Sequence, residues 1–227
     1  MSRRGFVVAV DGPSGVGKSS ASRGLARRLG FRHVDTGAMY RAVALLAADR
    51  GIPPTDAKAL TRLARDVTFE FREREDGAAR VLADGRDVTD DIRTPEIGQL
   101  ASAVSTHPGV RRHLVEAQRA LARGCDLVME GRDIGTVVFP SAPVKFFLSA
   151  DPSARATRRL KELRDRGLVT DQARVEAEQL ERDSRDSSRA HAPLRQAADA
   201  IVLDTTSMTL DEVIQAMELA VTRRRPA

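Results

Sequence analysis

A loop with three glycines, a lysine and a serine at fixed spacing constrains this chain more than any other feature. Residues 12–19 read Gly-Pro-Ser-Gly-Val-Gly-Lys-Ser and match the pattern G-x-x-x-x-G-K-[ST]. The run Phe6-Val-Val-Ala-Val10 before it is apolar and β-branched, as in a strand buried on both faces of a parallel sheet. Residues 18–29 after it place their apolar side chains on one helical stripe. Strand, loop and helix in this order predict the start of a βαβ unit.

The residue types in this loop are those that hold a phosphate. Glycines allow the backbone to curl so that successive N–H groups point inward around an anion, and the following helix adds its positive N-terminal end. Lys18 would bring a positive charge to the transferred phosphoryl group, and the hydroxyl of Ser19 is placed to bind Mg²⁺. We therefore interpret residues 12–19 as a nucleotide phosphate site rather than as a chance glycine-rich loop.

A phosphate loop of this kind occurs in GTPases, ATPase motors and kinases. Guanine-specific GTPases usually read the base with an Asn/Thr-Lys-x-Asp run, but the lysines here follow Gly17, Ala57, Val144 and Leu160, so no such run exists. A motor would normally need a larger chain than these 227 residues, which suit a single α/β domain. A small kinase remains, and the rest of the sequence should supply its acceptor site.

The remaining pattern predicts an α/β chain with a small antiparallel sheet set into it. Apolar and polar residues alternate from Val67 to Arg72, and Asp-Gly pairs at 76–77 and 84–85 predict turns. Further core strands are expected at 127–129, 144–148 and 200–203. Helices are expected at about 37–50, 55–66, 95–105, 108–123, 152–166, 170–188 and from 210 onward.

Composition and charge narrow the kinds of partner that we expect this chain to bind and the cellular compartment in which we expect it. Residues 151–190 carry nine Arg and one Lys but also nine acidic residues, which is a mixed helical face rather than a phosphate-tracking stripe. Aromatic residues make up 4% of the chain, which leaves little for stacking bases. No apolar run approaches the roughly 18 residues of a membrane span, and the single Cys125 cannot form an intramolecular disulfide. We expect a cytoplasmic protein that binds neither polynucleotides nor membranes.

Two clusters could hold the phosphate of an acceptor. The run 35–41, Asp-Thr-Gly-Ala-Met-Tyr-Arg, begins a predicted helix and combines hydroxyls and a guanidinium with the helix N-terminus. The run 129–136 follows a core strand; there Glu130 could orient Mg²⁺, Arg132 could bridge two phosphates and Asp133 could accept from an exocyclic amine. The alternatives are that Arg132 only pairs with Glu130 or Asp133 and that Tyr40 only packs.

A third cluster lies at the end of the predicted helix 170–188. Arg182, Asp186 and Arg189 recur at i, i+4 and i+7, so they would share one helical face. Guanidinium groups on a segment that closes over phosphates would stabilise transferring charge. The alternative is a solvated helix with ion pairs at i,i+4 spacing.

Together these motifs resemble the bacterial cytidylate kinases, which transfer a phosphoryl group from ATP to CMP or dCMP. The resemblance covers nearly the whole chain and rests on residues 11–19, 35–41, 131–140, 182–186 and 192–194. It implies an α/β fold of the P-loop NTPase type: three α/β/α layers around a central parallel five-stranded sheet, a small antiparallel-sheet insert that binds the nucleoside monophosphate, and a helical lid. The chain has Thr36 where some members carry Ser, and Glu130 where others carry Asp.

The resemblance also implies roles for individual residues. Ser19 would hold Mg²⁺, with Glu130 acting through a water, while Lys18, Arg132 and Arg158 would stabilise the transferring charge. The ATP phosphates would be held by Gly12, Pro13, Ser14, Gly15, Val16, Gly17, Lys18, Ser19 and Ser20. CMP would be held at its phosphate by Thr36, Tyr40, Arg41 and Arg132, at cytosine by Ser102, Arg111, Asp133 and Arg189, and at the sugar by Arg182 and Asp186.

We therefore expect one kinase domain over 1–227, with core segments 1–65, 106–151 and 191–227, an insert at about 66–105 and a lid at about 152–190. A phosphate acceptor has a second pKa of about 6 and is largely dianionic at neutral pH, so transfer needs no general base. A monomer is expected because no coiled-coil pattern is visible. Two other functions stay open: a kinase of the same architecture acting on a small-molecule hydroxyl, and a non-catalytic P-loop protein that binds nucleic acid.

Overall fold

The computed structural model describes residues 5–73, 79–165, 167 and 169–225. In these residues the strands are β1 (Val7–Asp11), β2 (Arg32–Asp35), β3 (Phe69–Glu73), β4 (Ala79–Ala83), β5 (Arg86–Asp87), β6 (Leu127–Gly131), β7 (Val144–Ser149) and β8 (Ile201–Asp204). The helices are α1 (Lys18–Leu29), α2 (Thr36–Asp49), α3 (Ala57–Asp66), α4 (Pro95–Val104), α5 (Pro108–Leu121), α6 (Pro152–Asp165), α7 (Gln172–Ser188) and α8 (Leu210–Arg224). The chain divides into two compact units, Met1–His33 with Gly124–Ala227, and Val34–Arg123.

Strands β6, β1, β7 and β8 of the first unit belong to a five-stranded sheet with the order β2-β6-β1-β7-β8. Strand β1 pairs in parallel with both β6 and β7, and β7 pairs in parallel with β8. All five residues of β1 and of β6 are buried, as expected for central strands covered on both faces. The predicted parallel five-stranded sheet is confirmed.

One strand of this sheet has no signal in the residue pattern. Strand β2 has four residues, Arg-His-Val-Asp, of which only Val34 is buried. A short polar segment of this kind lacks the apolar run that marks a core strand. The fifth strand was therefore predicted from the family resemblance alone.

Helices α1 and α8 cover this sheet through one apolar core. Leu25 of α1 and Met217 of α8 are fully buried, together with Val8, Val10 and Phe146 of the central strands. Burying side chains of this size contributes about 1.5–3 kcal/mol each. Thr209 begins α8 with a capping box, in which its hydroxyl accepts from the Glu212 N–H while the Glu212 carboxylate accepts from the Thr209 N–H.

Helices α6 and α7 pack against each other through a small separate core. Ala156, Leu160 and Leu163 of α6 contact Val175 of α7, and all four side chains are buried. The outer face of α7 carries exposed ion pairs, Arg174–Glu178 and Arg185–Glu181. The predicted helical pair is confirmed. The solvent face of α7 has the i,i+4 pairs that the sequence offered as one interpretation, while Gln179 and Asp186 are buried.

The second unit contains α2 to α5 and an antiparallel sheet in the order β3-β4-β5. Its apolar core includes Met39, Leu60, Val88, Val104 and Leu114, all fully buried. The predicted turn at 84–85 joins β4 to β5, with φ of 50° at Asp84 and 77° at Gly85. Positive φ at both central residues is the geometry that suits a tight hairpin and favours Asp-Gly. The other predicted turn, at 76–77, lies outside the described residues.

Across the described ranges, none of the helices is both long and apolar enough to span a membrane.

Candidate active site

The loop between β1 and α1 has the conformation that a phosphate cradle needs. Gly12, Gly15 and Gly17 have φ of 150°, 73° and 91°, values that side-chain-bearing residues rarely adopt. A Cβ atom on Gly12 would lie 2.3 Å from the carbonyl oxygen of Leu148, and one on Gly15 would lie 2.3 Å from Nε2 of Gln179. The glycines therefore provide both the backbone curl and the room for neighbouring elements.

Lys18 is buried at the start of α1, directly after the loop. Its side chain is 7% exposed, and Nζ donates to the carbonyl of Pro13 at 2.5 Å. Burial lowers the pKa of Lys18 well below its ordinary value, and the positive charges of Arg132 and Arg182 lower it further, against the opposite effect of Glu130 and Asp183. A phosphate bound beside Lys18 would favour its charged form, so this cluster of cations is preorganised for an anion.

Ser19 and Glu130 meet where α1 begins and β6 ends. The Ser19 hydroxyl donates to Oε2 of Glu130 at 2.8 Å, and Glu130 is 2% exposed. On the other carboxylate oxygen, Oε1, the ring nitrogen Nε2 of His33 lies 3.0 Å away. Ser19 thus directs its hydrogen toward a carboxylate and leaves its oxygen lone pairs available for a cation.

These groups fit a magnesium ion that arrives with a nucleotide. Within the described residues, no group of three or more His, Cys, Asp or Glu side chains could hold a metal ion by itself. Mg²⁺ that serves phosphoryl transfer takes most of its ligands from phosphates and waters and needs one or two protein groups. The hydroxyl of Ser19 and the carboxylate of Glu130 are oxygen donors of the required type.

Asp11, at the end of β1, anchors the segment that follows β6. Its two carboxylate oxygens accept from the backbone N–H groups of Ile134 at 2.8 Å and Gly135 at 2.7 Å. Burial raises the pKa of Asp11 to about 6, and the two amide hydrogen bonds act in the opposite direction. Residues 134–138 form a π-helical turn, with Val138 N–H donating to the Asp133 carbonyl at 3.2 Å. Irregular turns of this kind recur at functional sites. This one follows Arg132 and Asp133 and is anchored by Asp11 at the end of β1, the strand that leads into the phosphate loop.

Arg132 forms an ion pair with a carboxylate of α7. Its Nε donates to Oδ2 of Asp186 at 2.9 Å, so the partners considered from the sequence, Glu130 and Asp133, are not the acceptors of that bond. Burial opposes ionisation of Asp186, but the charges of Arg132, Arg189 and Arg182 overcome it and hold the pKa of Asp186 below its ordinary value. The arginines of two predicted clusters therefore surround one buried carboxylate.

Arg189 lies beyond the helix instead of on its face. Residue 189 caps α7 with φ of −56° and ψ of 135°, so the i+7 position is no longer helical. Its guanidinium lies 3.6 Å from Oδ1 of Asp186 and donates to the carbonyl of Ala192 at 3.1 Å. Arg189 still approaches Asp186, as an i,i+3 pair across the end of α7.

Two arginines of α6, Arg155 and Arg158, contact different parts of the backbone around the loop. Arg158, the predicted charge stabiliser, donates to Oγ1 of Thr205 at 3.0 Å and to the carbonyl of Thr206 at 3.3 Å. Thr205 in turn donates to the carbonyl of Val16 at 3.2 Å. Arg155 donates to the carbonyl of Ser14 at 3.0 Å and pairs with Asp183.

Asp183 also contacts the phosphate loop itself. Its Oδ1 accepts from the backbone N–H of Ser14 at 2.9 Å. Arg155 of α6 therefore binds the carbonyl of Ser14, and Asp183 of α7 binds the N–H group of the same residue. The loop is fixed from both helices in this structure.

The five other predicted residues lie in the second unit. The side chain of Asp35 caps α2 by accepting from the Ala38 N–H at 3.2 Å, and Thr36 is buried at the first turn. The guanidinium carbon of Arg111 lies 5.5 Å from the ring centre of Tyr40, within cation–π range. Arg111 also donates to the carbonyl of Ser105 at 3.3 Å, and the Ser105 hydroxyl donates to the carbonyl of Ser102 at 2.8 Å. The unit thus brings Tyr40, Ser102 and Arg111 into one network; Arg41, half-buried on α2, is the fifth.

Comparison with known proteins decides the family. The family model for cytidylate kinase matches residues 8–223. The chain belongs to the cytidylate kinase family. A cytidylate kinase of Syntrophotalea carbinolica is 49% identical over 98% of this chain and 94% of its own length, and one of Geobacter sulfurreducens is 49% identical over 99% and 96%. The resemblance inferred from the sequence motifs is confirmed.

Solved structures confirm the fold of this cytidylate kinase family member. An uncharacterized protein from Eubacterium ventriosum superposes with a TM-score of 0.53 at 12% identity, covering 98% of this chain and all of that one. A gluconokinase from Sinorhizobium meliloti superposes with a TM-score of 0.50 at 17% identity, covering 97% and 94%. At these identities the likeness concerns the fold and carries nothing about the acceptor.

Sequence reasoning assigned no role to several residues that shape this site. Asp11 belongs to the motif at residues 11–19 and Asp183 to the motif at residues 182–186, and their neighbours in these motifs were assigned roles. Membership of a motif was therefore the signal that could have identified both residues. Arg155 is one of nine arginines between 151 and 190, and composition alone does not distinguish it from the others. His33 lies in strand β2, which has no signal in the residue pattern, and nothing in the sequence distinguishes this histidine.

Proposed function

We propose that this cytidylate kinase family member transfers the γ-phosphoryl group of ATP to CMP or dCMP with the help of Mg²⁺. The observation that carries the proposal is the cluster at the phosphate loop: buried Lys18, with Arg132 and Arg182 near enough to lower its pKa, at a glycine cradle. Positive groups placed at a glycine cradle in this way would stabilise the charge of two bound phosphates. Relatives named cytidylate kinase, aligned over nearly their whole length, support the nucleotide acceptor.

In this mechanism the protein aligns the donor and acceptor phosphates and neutralises their negative charge, and it does not abstract a proton. Backbone N–H groups of the loop and the start of α1 would hold the ATP phosphates, and Lys18 and Arg132 would share the charge that develops during transfer. Ser19 would hold Mg²⁺, with Glu130 acting through a water, and the ion supplies Lewis-acid charge stabilisation when bound. The acceptor phosphate is already largely dianionic at neutral pH, so its oxygen attacks without a general base.

The roles at the acceptor follow from the family motif residues. Thr36, Tyr40, Arg41 and Arg132 would hold the CMP phosphate, and Ser102, Arg111, Asp133 and Arg189 would read cytosine. Arg182 and Asp186 would hold the sugar, and Arg158 would turn from the Thr205–Thr206 backbone to the transferring phosphoryl group when the α6–α7 lid closes. The segment division into core, insert and lid, the monomeric state, the cytoplasmic location and the absence of nucleic-acid binding stay predictions.

The decisive experiment measures ADP release from Mg²⁺·ATP with each nucleoside monophosphate. We expect CMP and dCMP to support turnover well above the other monophosphates, and Lys18→Ala to lower kcat by at least about 100-fold because its charge is lost at the transferring group. Lys161→Ala, which removes an exposed lysine on α6, is the matched control and should leave the rate unchanged. Turnover with a phosphate-free hydroxyl acceptor and none with CMP would refute the proposal.

Asp133 provides a test of base selection. Its carboxylate should favour the 4-amino group of cytosine over the carbonyl of uracil, so Asp133→Ala should lower the CMP/UMP ratio of kcat/KM by roughly 10- to 100-fold, the range for a hydrogen bond to a charged group. Steady-state kinetics with both monophosphates give this ratio. Asp133→Asn, which can donate to a carbonyl, should instead raise UMP use; an unchanged ratio in both variants would remove Asp133 from the base site.

A further inference from the structure

We propose that His33 is a positioning residue for the magnesium–nucleotide site, acting through Glu130. The inference rests on the proposed function and goes beyond the family motifs, none of which includes residue 33. It assigns a role to the polar strand β2, which contributes a side chain at the point where β6 ends.

The geometry places Glu130 between two donors. Its Oε2 accepts from the Ser19 hydroxyl at 2.8 Å and its Oε1 lies 3.0 Å from Nε2 of His33. A carboxylate oxygen only accepts hydrogen bonds, so Nε2 carries the hydrogen and donates. Each bond engages a different oxygen of the carboxylate, so the two together restrict rotation of the carboxylate plane.

Fixing that plane matters because Glu130 has one more rotatable bond than Asp. A carboxylate free to rotate would release the Ser19 hydroxyl, whose hydrogen must point away from the metal if its oxygen is to bind a cation. Glu130 is 2% exposed, and the His33 side chain is 11% exposed, so water competes little for either group. Partners of this kind orient the groups nearest a metal and strongly affect its affinity.

A pair of amide substitutions separates this role from simple packing. His33→Gln places an N–H donor at about the position of Nε2 and should preserve the bond to Glu130. His33→Asn has the same functional group on a shorter side chain, so its amide should not reach the Glu130 carboxylate. Both variants keep a polar residue in β2, and thermal unfolding of each shows whether the fold is retained.

The primary measurement is binding of a non-hydrolysable ATP analogue by titration calorimetry, with and without Mg²⁺. In the unaltered protein, Mg²⁺ should tighten binding. We call the factor by which Mg²⁺ tightens binding the Mg²⁺ increment. In His33→Asn this increment should shrink by about tenfold, in line with other residues that orient metal ligands, while binding of the analogue without Mg²⁺ should stay the same. His33→Gln should restore it. In a Glu130→Gln background, His33→Asn should have no further effect.

Each outcome decides the matter. Equal Mg²⁺ increments in His33→Asn and the unaltered protein would overturn the inference, as would an equal loss with and without Mg²⁺, which indicates a structural role. Rate measurements give a second comparison. His33→Asn should raise the Mg²⁺ concentration needed for half-maximal turnover by a larger factor than it lowers kcat at saturating Mg²⁺. If the unaltered protein shows no Mg²⁺ increment at all, the metal step of the proposed function fails instead, which is a separate result.

Discussion

Single carboxylates organise this site as much as its arginines do. Asp11, Glu130 and Asp186 are each at least nine-tenths buried, and each accepts hydrogen bonds that fix a different part of the site. Buried carboxylates are costly unless they are paired or hydrogen-bonded. Here that cost is offset by backbone amides at Asp11, by a hydroxyl and an imidazole at Glu130, and by guanidinium groups at Asp186.

Asp11 makes stability depend on pH in a predictable direction. Its pKa is raised from 3.8 to about 6, chiefly by burial, so between these values the folded protein binds more protons than the unfolded chain. Stability from this group is therefore full below about pH 4 and decreases as pH rises through 6, by as much as about 3 kcal/mol, since each pKa unit corresponds to about 1.4 kcal/mol.

The free energy of unfolding, measured in urea from pH 4 to pH 7, tests this expectation against Asp11→Asn. The Asn side chain does not titrate, so the difference in stability between the two proteins should fall across this interval. A difference that is constant with pH, or a carbon-13 carboxyl resonance of Asp11 that titrates near pH 4, would contradict it.

At the scale of elements, the contact of α6 and α7 with the phosphate loop depends on one buried ion pair. Arg155 and Asp183 are both largely buried, pair with each other, and hold the carbonyl and the N–H of Ser14. Removing one partner of a buried pair leaves the other charge unpaired, which costs about 3–5 kcal/mol. We expect Asp183→Ala to lower the free energy of unfolding by an amount in this range.

The same helix contains a matched control. Arg185 and Glu181 pair at i,i+4 spacing with side chains 39% and 71% exposed, and such pairs contribute about 0.3–0.5 kcal/mol. Double-mutant cycles with alanine should give a coupling energy of about 1–3 kcal/mol for Arg155–Asp183 and several times less for Arg185–Glu181. Equal coupling energies would show that burial does not strengthen the first pair.

At the scale of the whole molecule, each of the two units has its own apolar core. A ligand that binds the folded state stabilises it by mass action, by about 2.7 kcal/mol at a concentration of 100 Kd. CMP should therefore raise the Tm of the protein, and a Mg²⁺-bound ATP analogue should do the same.

Cytidine is the informative control for this stabilisation. It has the base and sugar of CMP but lacks the phosphate, which is the group that the arginines would grip. In thermal unfolding monitored by circular dichroism, CMP should shift Tm and cytidine at the same concentration should not. Equal shifts would mean that phosphate recognition contributes little to acceptor binding.

The sequence by itself determined four strands of the parallel sheet, the helices and the location of the phosphate loop. The apolar runs of β1, β6 and β7, the periodicity of the helices and the spacing of residues 12–19 are local patterns, and the structure confirms the elements they predict. The bounds of α1, Lys18–Leu29, agree with the prediction because the loop before it and Gly30 after it, with φ of 66°, are both marked in the sequence.

Tertiary structure decided which charges meet. Arg132 could have paired with Glu130 or Asp133 beside it, yet its Nε donates to Asp186, 54 residues away in sequence. His33 reaches Glu130 across 97 residues, and Asp183 reaches Ser14 across 169. Ion pairs and hydrogen bonds act over a few ångströms with no preference for sequence distance, so their partners follow from the packing of strands and helices and cannot be read from local pattern.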